Sequence, residues 1–237
     1  MKGALLAAVL LSAAACTPPR AKGTPGDYFP LAVGHEWLYR VTQPGAPARL
    51  LHFRIVGEKT GDRGETRFLL DDTGSRFYLK QGDVLGYSIS PDIWTIFLSG
   101  PVVRGHRFDG ALAVIVDYAE PPEGAATPTP PKGPAPMQIV KSSGYKLITE
   151  TKRAISVPAG DFADCVEVTH LAGPTTGVKY FAPDIGLVFA EAWYEDTKTK
   201  SRSMVSKQEL IGYRLGARAG GDLNLNPTPR TTTSSTP

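Results

Sequence analysis

Cysteine is scarce in this chain: Cys16 and Cys165 are the two present in 237 residues. One pair at most cannot build the disulfide framework on which small secreted domains rely, so packing must hold the fold. Long apolar runs are missing as well. The run from Ala4 to Leu11, followed by small residues up to Ala15, falls short of the roughly 20 residues a membrane-crossing helix needs. Charge of one sign is lacking too. Against 26 Lys and Arg stand 23 Asp and Glu, a formal +3 without clusters, so neither nucleic acid nor an anionic membrane surface is an implied partner.

Signatures of chemistry are equally sparse. No Gly-x-Ser-x-Gly stretch supplies a nucleophile elbow, and no glycine-rich loop is spaced to cradle phosphate. His35, His52, His106 and His170 are scattered, with no cysteine at ligand spacing, which gives a zinc site no support. Asp72-Thr73-Gly74-Ser75 has the form of an aspartic-protease motif, but that chemistry needs two aspartates sharing a proton. No second Asp-Thr/Ser-Gly occurs, and Asp71 and Arg76 flank the motif where the proteases have apolar residues. The same four residues suit a hairpin turn, with Gly74 free to take a positive φ. The paired acids Glu195-Asp196 and Asp71-Asp72 read as solvated strand ends. The chain is therefore read as no enzyme, and no catalytic, cofactor, metal or ligand-binding residue is nominated.

What is present begins with the N-terminus. Lys2, the apolar run and small residues form the layout of a secretory signal, and Pro18-Pro19 would break a helical continuation. Leu11-Ser12-Ala13-Ala14-Ala15-Cys16 resembles a bacterial lipobox, with Ala13 where a large aliphatic residue is usual. By that resemblance residues 1–15 are removed and Cys16 is lipidated; ordinary cleavage among the alanines is the alternative. Several acyl chains at about 0.8 kcal/mol per buried CH₂ make a stable anchor. Thr17 rather than Asp after the cysteine favours, by the same resemblance, the outer membrane, facing the periplasm.

After a short tether (16–27), period-2 alternation dominates. EWLYRVT (36–42) sets Trp37, Tyr39 and Val41 against Glu36, Arg40 and Thr42, with Leu38 breaking the pattern. LLHFRIV (50–56) repeats the alternation, and ETRFLLD, RFYLK, DVLGYSI and WTIFL follow, parted by turn residues at the spacing of antiparallel meanders. ALAVIVDY (111–118) is apolar on both faces and reads as an interior strand. The Pro-rich loop 120–136 cannot supply ladder donors, and strands of the same character resume beyond it (YKLITETKRAISV, DCVEVTH, GVKYFA, GLVFAEAWY). SMVSKQELIGYRL fits a strand pair better than a terminal helix. The expected fold is all-β and mainly antiparallel, a single curved sheet or open barrel or sandwich over residues 28–215 with one core. Residues 216–237, without aromatics, read as a disordered tail. Cys165 is read as a buried, unreactive thiol, with a reactive or interchain thiol as the alternative. Strand parity puts it opposite Val166 and Val168.

Three stretches also resemble a largely uncharacterised family of bacterial exported β-rich proteins, sometimes labelled TapB-like. They are Tyr28 to Tyr39 (YFPLAVGHEWLY), Val157 to Cys165 (VPAGDFADC) and Tyr180 to Val188 (YFAPDIGLV). The resemblance implies a fold and no catalytic residues. Pro158-Ala159-Gly160-Asp161 and Pro183-Asp184-Ile185-Gly186 read as turns, and Trp37, Tyr39, Tyr180 and Phe181 as core aromatics or the lining of an aromatic cleft.

The expectation is a lipoprotein of the bacterial cell envelope, held to the membrane through Cys16. It would act as a non-catalytic binding or structural module toward an envelope protein, or as a carrier of lipid or another apolar ligand on the concave face of its sheet. Radiolabelled palmitate should appear on the mature protein and vanish with Cys16→Ala; an unlabelled mature protein would refute the anchor.

Overall fold

The structure is a computed structural model that describes residues 23–61, 64–72, 74, 76–90, 93–109, 112–115, 137–140 and 144–223. The signal, Cys16, most of the tether, the Pro-rich loop 120–136 and the tail from residue 224 lie outside the described residues. Within them, one helical turn and sixteen strands make two antiparallel sheets. The first sheet holds β1 (Glu36–Gln43), β2 (Ala46–Arg54), β8 (Arg107–Asp109), β11 (Tyr145–Val157), β12 (Gly160–Ala172), β13 (Thr175–Ala182), β14 (Gly186–Glu195), β15 (Arg202–Leu215) and β16 (Arg218–Gly221). Its order is β2-β1-β15-β14-β13-β12-β11-β8, with β16 against β15. The second holds β3 (Gly57–Thr60), β4 (Thr66–Leu69), β5 (Phe77–Gln81), β6 (Val84–Ser90), β7 (Ile93–Ser99), β9 (Leu112–Ile115) and β10 (Met137–Val140). Its order is β10-β9-β7-β6-β5-β4-β3. Neither sheet closes into a barrel.

The expected all-β fold is thus present, as two sheets around one core. The alternation in 36–42 becomes β1, with Trp37 and Tyr39 in the core. Within the run at 111–118, the described residues Leu112–Ile115 form β9, interior between β10 and β7. The segment SMVSKQELIGYRL lies in a single long strand, β15, which pairs with both β1 and β14. Of the motif at 72–75, Asp72 and Gly74 are described and lie between β4 and β5, where Gly74 takes φ 70° and its N–H donates to the Asp71 carbonyl at 3.2 Å.

Two boundaries and one strand parity differ from the sequence reading. First, α1 (Pro25–Tyr28) is part of the fold: the Asp27 carboxylate accepts from the Thr24 N–H (3.1 Å) and hydroxyl (2.8 Å), and Pro25 and Tyr28 are buried. Second, the chain beyond Gly216 adds β16, and it then crosses β15 closely enough that a Cβ on Gly212 would fall 2.4 Å from the Asp222 carbonyl oxygen. Gly212 pairs with Leu38, so these last residues run over the face of the sheet to which Leu38 belongs, and Leu38 is fully buried although its parity opposes Trp37 and Tyr39. Third, Cys165 and Val166 are both fully buried. Parity fails there because Asp164 takes φ 54° and the β11–β12 register shifts around Arg153, a bulge that turns two consecutive side chains inward. Burial, then the Asp164 charge, pushes the Cys165 thiol up to about 12, so it stays protonated and unreactive.

The core is organised around Phe29. Its ring stacks on Trp37 of the first sheet (5.1 Å, 11°) and meets Tyr78 and Phe97 of the second edge-on (4.9 and 5.1 Å). Trp37 Nε1 donates to the Ile185 carbonyl (2.7 Å) and the Tyr39 hydroxyl to the Leu187 carbonyl (2.9 Å), fastening β1 to the turn before β14. That turn needs positive φ at Asp184 (58°) and Gly186 (114°), and a Cβ on Gly186 would sit 2.8 Å from the Phe29 ring. Gly186→Ala should therefore destabilise the protein by about 2–4 kcal/mol, combining backbone strain with overpacking. Urea denaturation measures this, and a loss below about 0.5 kcal/mol, the scale of an ordinary surface change, would contradict the packing.

Candidate functional site

Strand register decides which side chains meet between the sheets, because residues paired directly across strands share a face. One row runs Lys146, His170, Gly177, Ala192, Ser206 across β11 to β15. The next runs Ile148, Val168, Lys179, Ala190, Gln208 and reaches Val41 of β1. Lys179 has the same parity as Phe181, a core residue. Both rows therefore belong to the inner face.

Two cavities open on that face, and Lys179 and Gln208 line both. The first, about 260 Å³, is walled by Phe53, Tyr78, Tyr87, Phe97 and Phe181. Its tyrosines Tyr78 and Tyr87 are raised above their ordinary range, chiefly by burial, and stay neutral. The second, about 200 Å³, lies over the small residues Gly177, Ala190, Ala192 and Ser206, with His170 at its wall. Small side chains in the middle of a strand row leave this space; larger ones would fill it.

Cations on this face are unusual for a sheet interior. Lys146 is 4% exposed, and its Nζ donates to the Ile96 carbonyl and, at 3.4 Å, to the Thr95 hydroxyl, joining β11 to β7. Burial first and the Lys179 charge second lower it to about 7. Burial alone lowers Lys179, which keeps some surface toward the cavities, and among the described residues its Nζ has no hydrogen-bond or ion-pair partner. His170 is lowered to about 4 by burial, then by Lys146 and Lys179, so its imidazole is neutral near pH 7. An aromatic chamber and a trough that share an unpaired amine in their lining can bind an amphipathic molecule. Lys146 is too enclosed, and too fully engaged by Ile96 and Thr95, to serve as a nucleophile.

The residues weighed in the sequence lie in separate settings. Cys16 is outside the described residues. His35 Nδ1 donates to the Pro30 carbonyl (2.9 Å), His52 Nε2 lies 3.1 Å from Glu36 Oε2, His106 stacks on Phe108, and His170 lines the trough. Among the described residues no three of His, Cys, Asp or Glu converge as a metal site would require. Asp196 ends a strand, accepting from the Lys198 and Thr199 N–H groups at 2.8 Å. Of the core aromatics named in the sequence, Phe181 lines the cavity, whereas Tyr180 lies on the opposite face against Phe189. Lys146, Lys179 and Gln208 were not singled out by sequence. The available signal was parity: Lys179 lies two residues before Phe181 in GVKYFA, and Lys146 two before Ile148 in YKLI.

The lysines and His170 give the protein a pH response. A group lowered on folding is protonated more readily in the unfolded chain, so stability rises with pH between its folded and ordinary values. For His170 that window is about pH 4 to 6.5, and for Lys146 about 7 to 10.5. Above pH 9 the raised Cys165 thiol, and above pH 10 the raised tyrosines, act in the opposite sense. The thermal midpoint should climb from pH 7 to 9, and Lys146→Met should flatten the climb; an unchanged slope in the variant would refute the assignment.

No family model matches the chain, and no curated protein matches it, so the TapB-like resemblance rests on its three stretches alone. Among solved structures, the chain is similar to a Bacteroides fragilis protein described as an inferred exported protein with a YmcC-like fold. The TM-score is 0.44 at 13% identity, covering 79% of this chain and 99% of that one. It is also similar to an inferred lipoprotein of Parabacteroides distasonis, with TM-score 0.36 at 14% identity, covering 79% of this chain and 98% of that one. At these scores neither structure lends its role to this chain, whose reading rests on its own residues.

Proposed function

We propose that the chain is a lipoprotein of the bacterial cell envelope, anchored through Cys16, that holds an apolar ligand between its two sheets without altering it chemically. The lipobox-like Leu11 to Cys16 supports the anchor, and Thr17 supports the outer membrane as its location, with the domain facing the periplasm. One observation carries the binding role: the 260 Å³ chamber walled by five aromatic side chains from both sheets, at the meeting point of the core. Natural cores are packed to leave few voids larger than a water molecule, and apolar pockets of a few hundred Å³ are the usual form of small-molecule sites. This reading takes the carrier alternative over a purely structural module, because a module that only engages a protein partner has no use for an internal chamber.

The test is native mass spectrometry of the full chain released from a volatile non-ionic detergent. Co-purifying apolar mass, or uptake of added monooleoylglycerol, is expected, and Leu51→Trp, which fills the chamber from β2, should reduce uptake by roughly tenfold or more. A chain that purifies empty and takes up no amphiphile would refute the proposal.

A further inference from the structure

The aromatic chamber explains an apolar ligand but not the amine at its edge. A sheet interior that binds only hydrocarbon is better stabilised by Leu or Met at position 179, since burying an ammonium is costly unless it is paired. Lys179 instead lines both cavities, and among the described residues nothing pairs with it. No carboxylate contributes to its lowered ionisation; burial is the whole cause. The trough's lining supplies further polar groups on the same face: Gln208 two strands away in the same row, across Ala190, and His170 and Ser206 in the adjacent row; Glu191 also lines it, at the opposite strand parity.

We infer that the two cavities lined by Lys179 together bind a single-chain anionic amphiphile, its acidic head in the small-residue trough at Lys179 and its hydrocarbon among the rings of the aromatic chamber. This rests on the proposed binding role and adds the chemical class of the ligand. The arriving anion supplies the partner Lys179 lacks, giving a charge-assisted hydrogen bond in a site of low dielectric, where such a bond is strongest. Gln208 adds an amide donor beside it. Carboxylate and phosphate heads both meet this requirement. A neutral head of the same size leaves the amine unpaired and gains only the hydrocarbon term.

The experiment offers the full chain equal concentrations of oleate, oleoyl-lysophosphatidate and monooleoylglycerol in competition, read by native mass spectrometry. At least one anionic lipid should outcompete monooleoylglycerol by roughly tenfold or more, the scale of one charge-assisted hydrogen bond. Preference for oleate assigns a carboxylate head and preference for lysophosphatidate a phosphate head; either supports the inference. Lys179→Met should bring the three lipids to within about twofold of one another, and Lys179→Gln gives a second neutral variant should the first melt early. Equal occupancy by neutral and anionic lipids in the natural chain, or an anionic preference that survives both variants, overturns the inference and leaves the apolar-ligand proposal standing. Uptake of no lipid at all overturns both.

Discussion

Phe29 is the contact on which the two sheets depend. It belongs to neither sheet, arriving instead from the turn after α1, and its ring is sandwiched between Trp37 on one side and Tyr78 and Phe97 on the other. Aromatic rings at these separations contribute more than their buried area, through edge-to-face and offset geometry. Because the ring lies directly under Gly186, the same contact dictates the turn between β13 and β14 and, through the Trp37 and Tyr39 donors, the placement of β1 on that turn. The YFPL opening and the PDIG turn, distant in sequence, are two halves of one packing unit.

That unit closes one part of the space between the sheets and leaves another open. Around Phe29 the rings interlock on one side and line the 260 Å³ chamber on the other; farther along the same face, small residues at 177, 190, 192 and 206 cannot reach across. An interior in which one region is over-supplied with aromatic area and its neighbour holds buried amines departs from the packing that would stabilise the protein best. Such departures are expected where a protein gives up stability for a site. The lysines are therefore the informative residues, since neither the strand ladder nor the core requires a charge at these positions.

The bulge at Asp164 shows how local backbone overrides pattern. Two-residue periodicity holds only while the backbone stays extended; one residue at φ 54° breaks the count, and Cys165 joins Val166 inside. The same logic accounts for Leu38, whose outward parity becomes burial once the chain after β16 crosses that face.

Alternating runs such as EWLYRVT, LLHFRIV and GLVFAEAWY determined by themselves that the chain is β-rich and antiparallel, because side-chain direction in a strand is a local property of two neighbouring residues. Turn chemistry was legible on the same grounds at Gly74, Pro158-Ala159 and Pro183 to Gly186. The short strands β3, β8 and β16 were not, since GEKT and RAGG carry no large apolar residue and RFD a single one, too little for a period, and all three exist through the partners they pair with. The division into two sheets, the capture of Phe29 between them and the meeting of Lys146, His170 and Lys179 on one inner face came from tertiary structure alone. Register across strands far apart in the chain is chosen by how whole faces pack, and no window of sequence contains that choice.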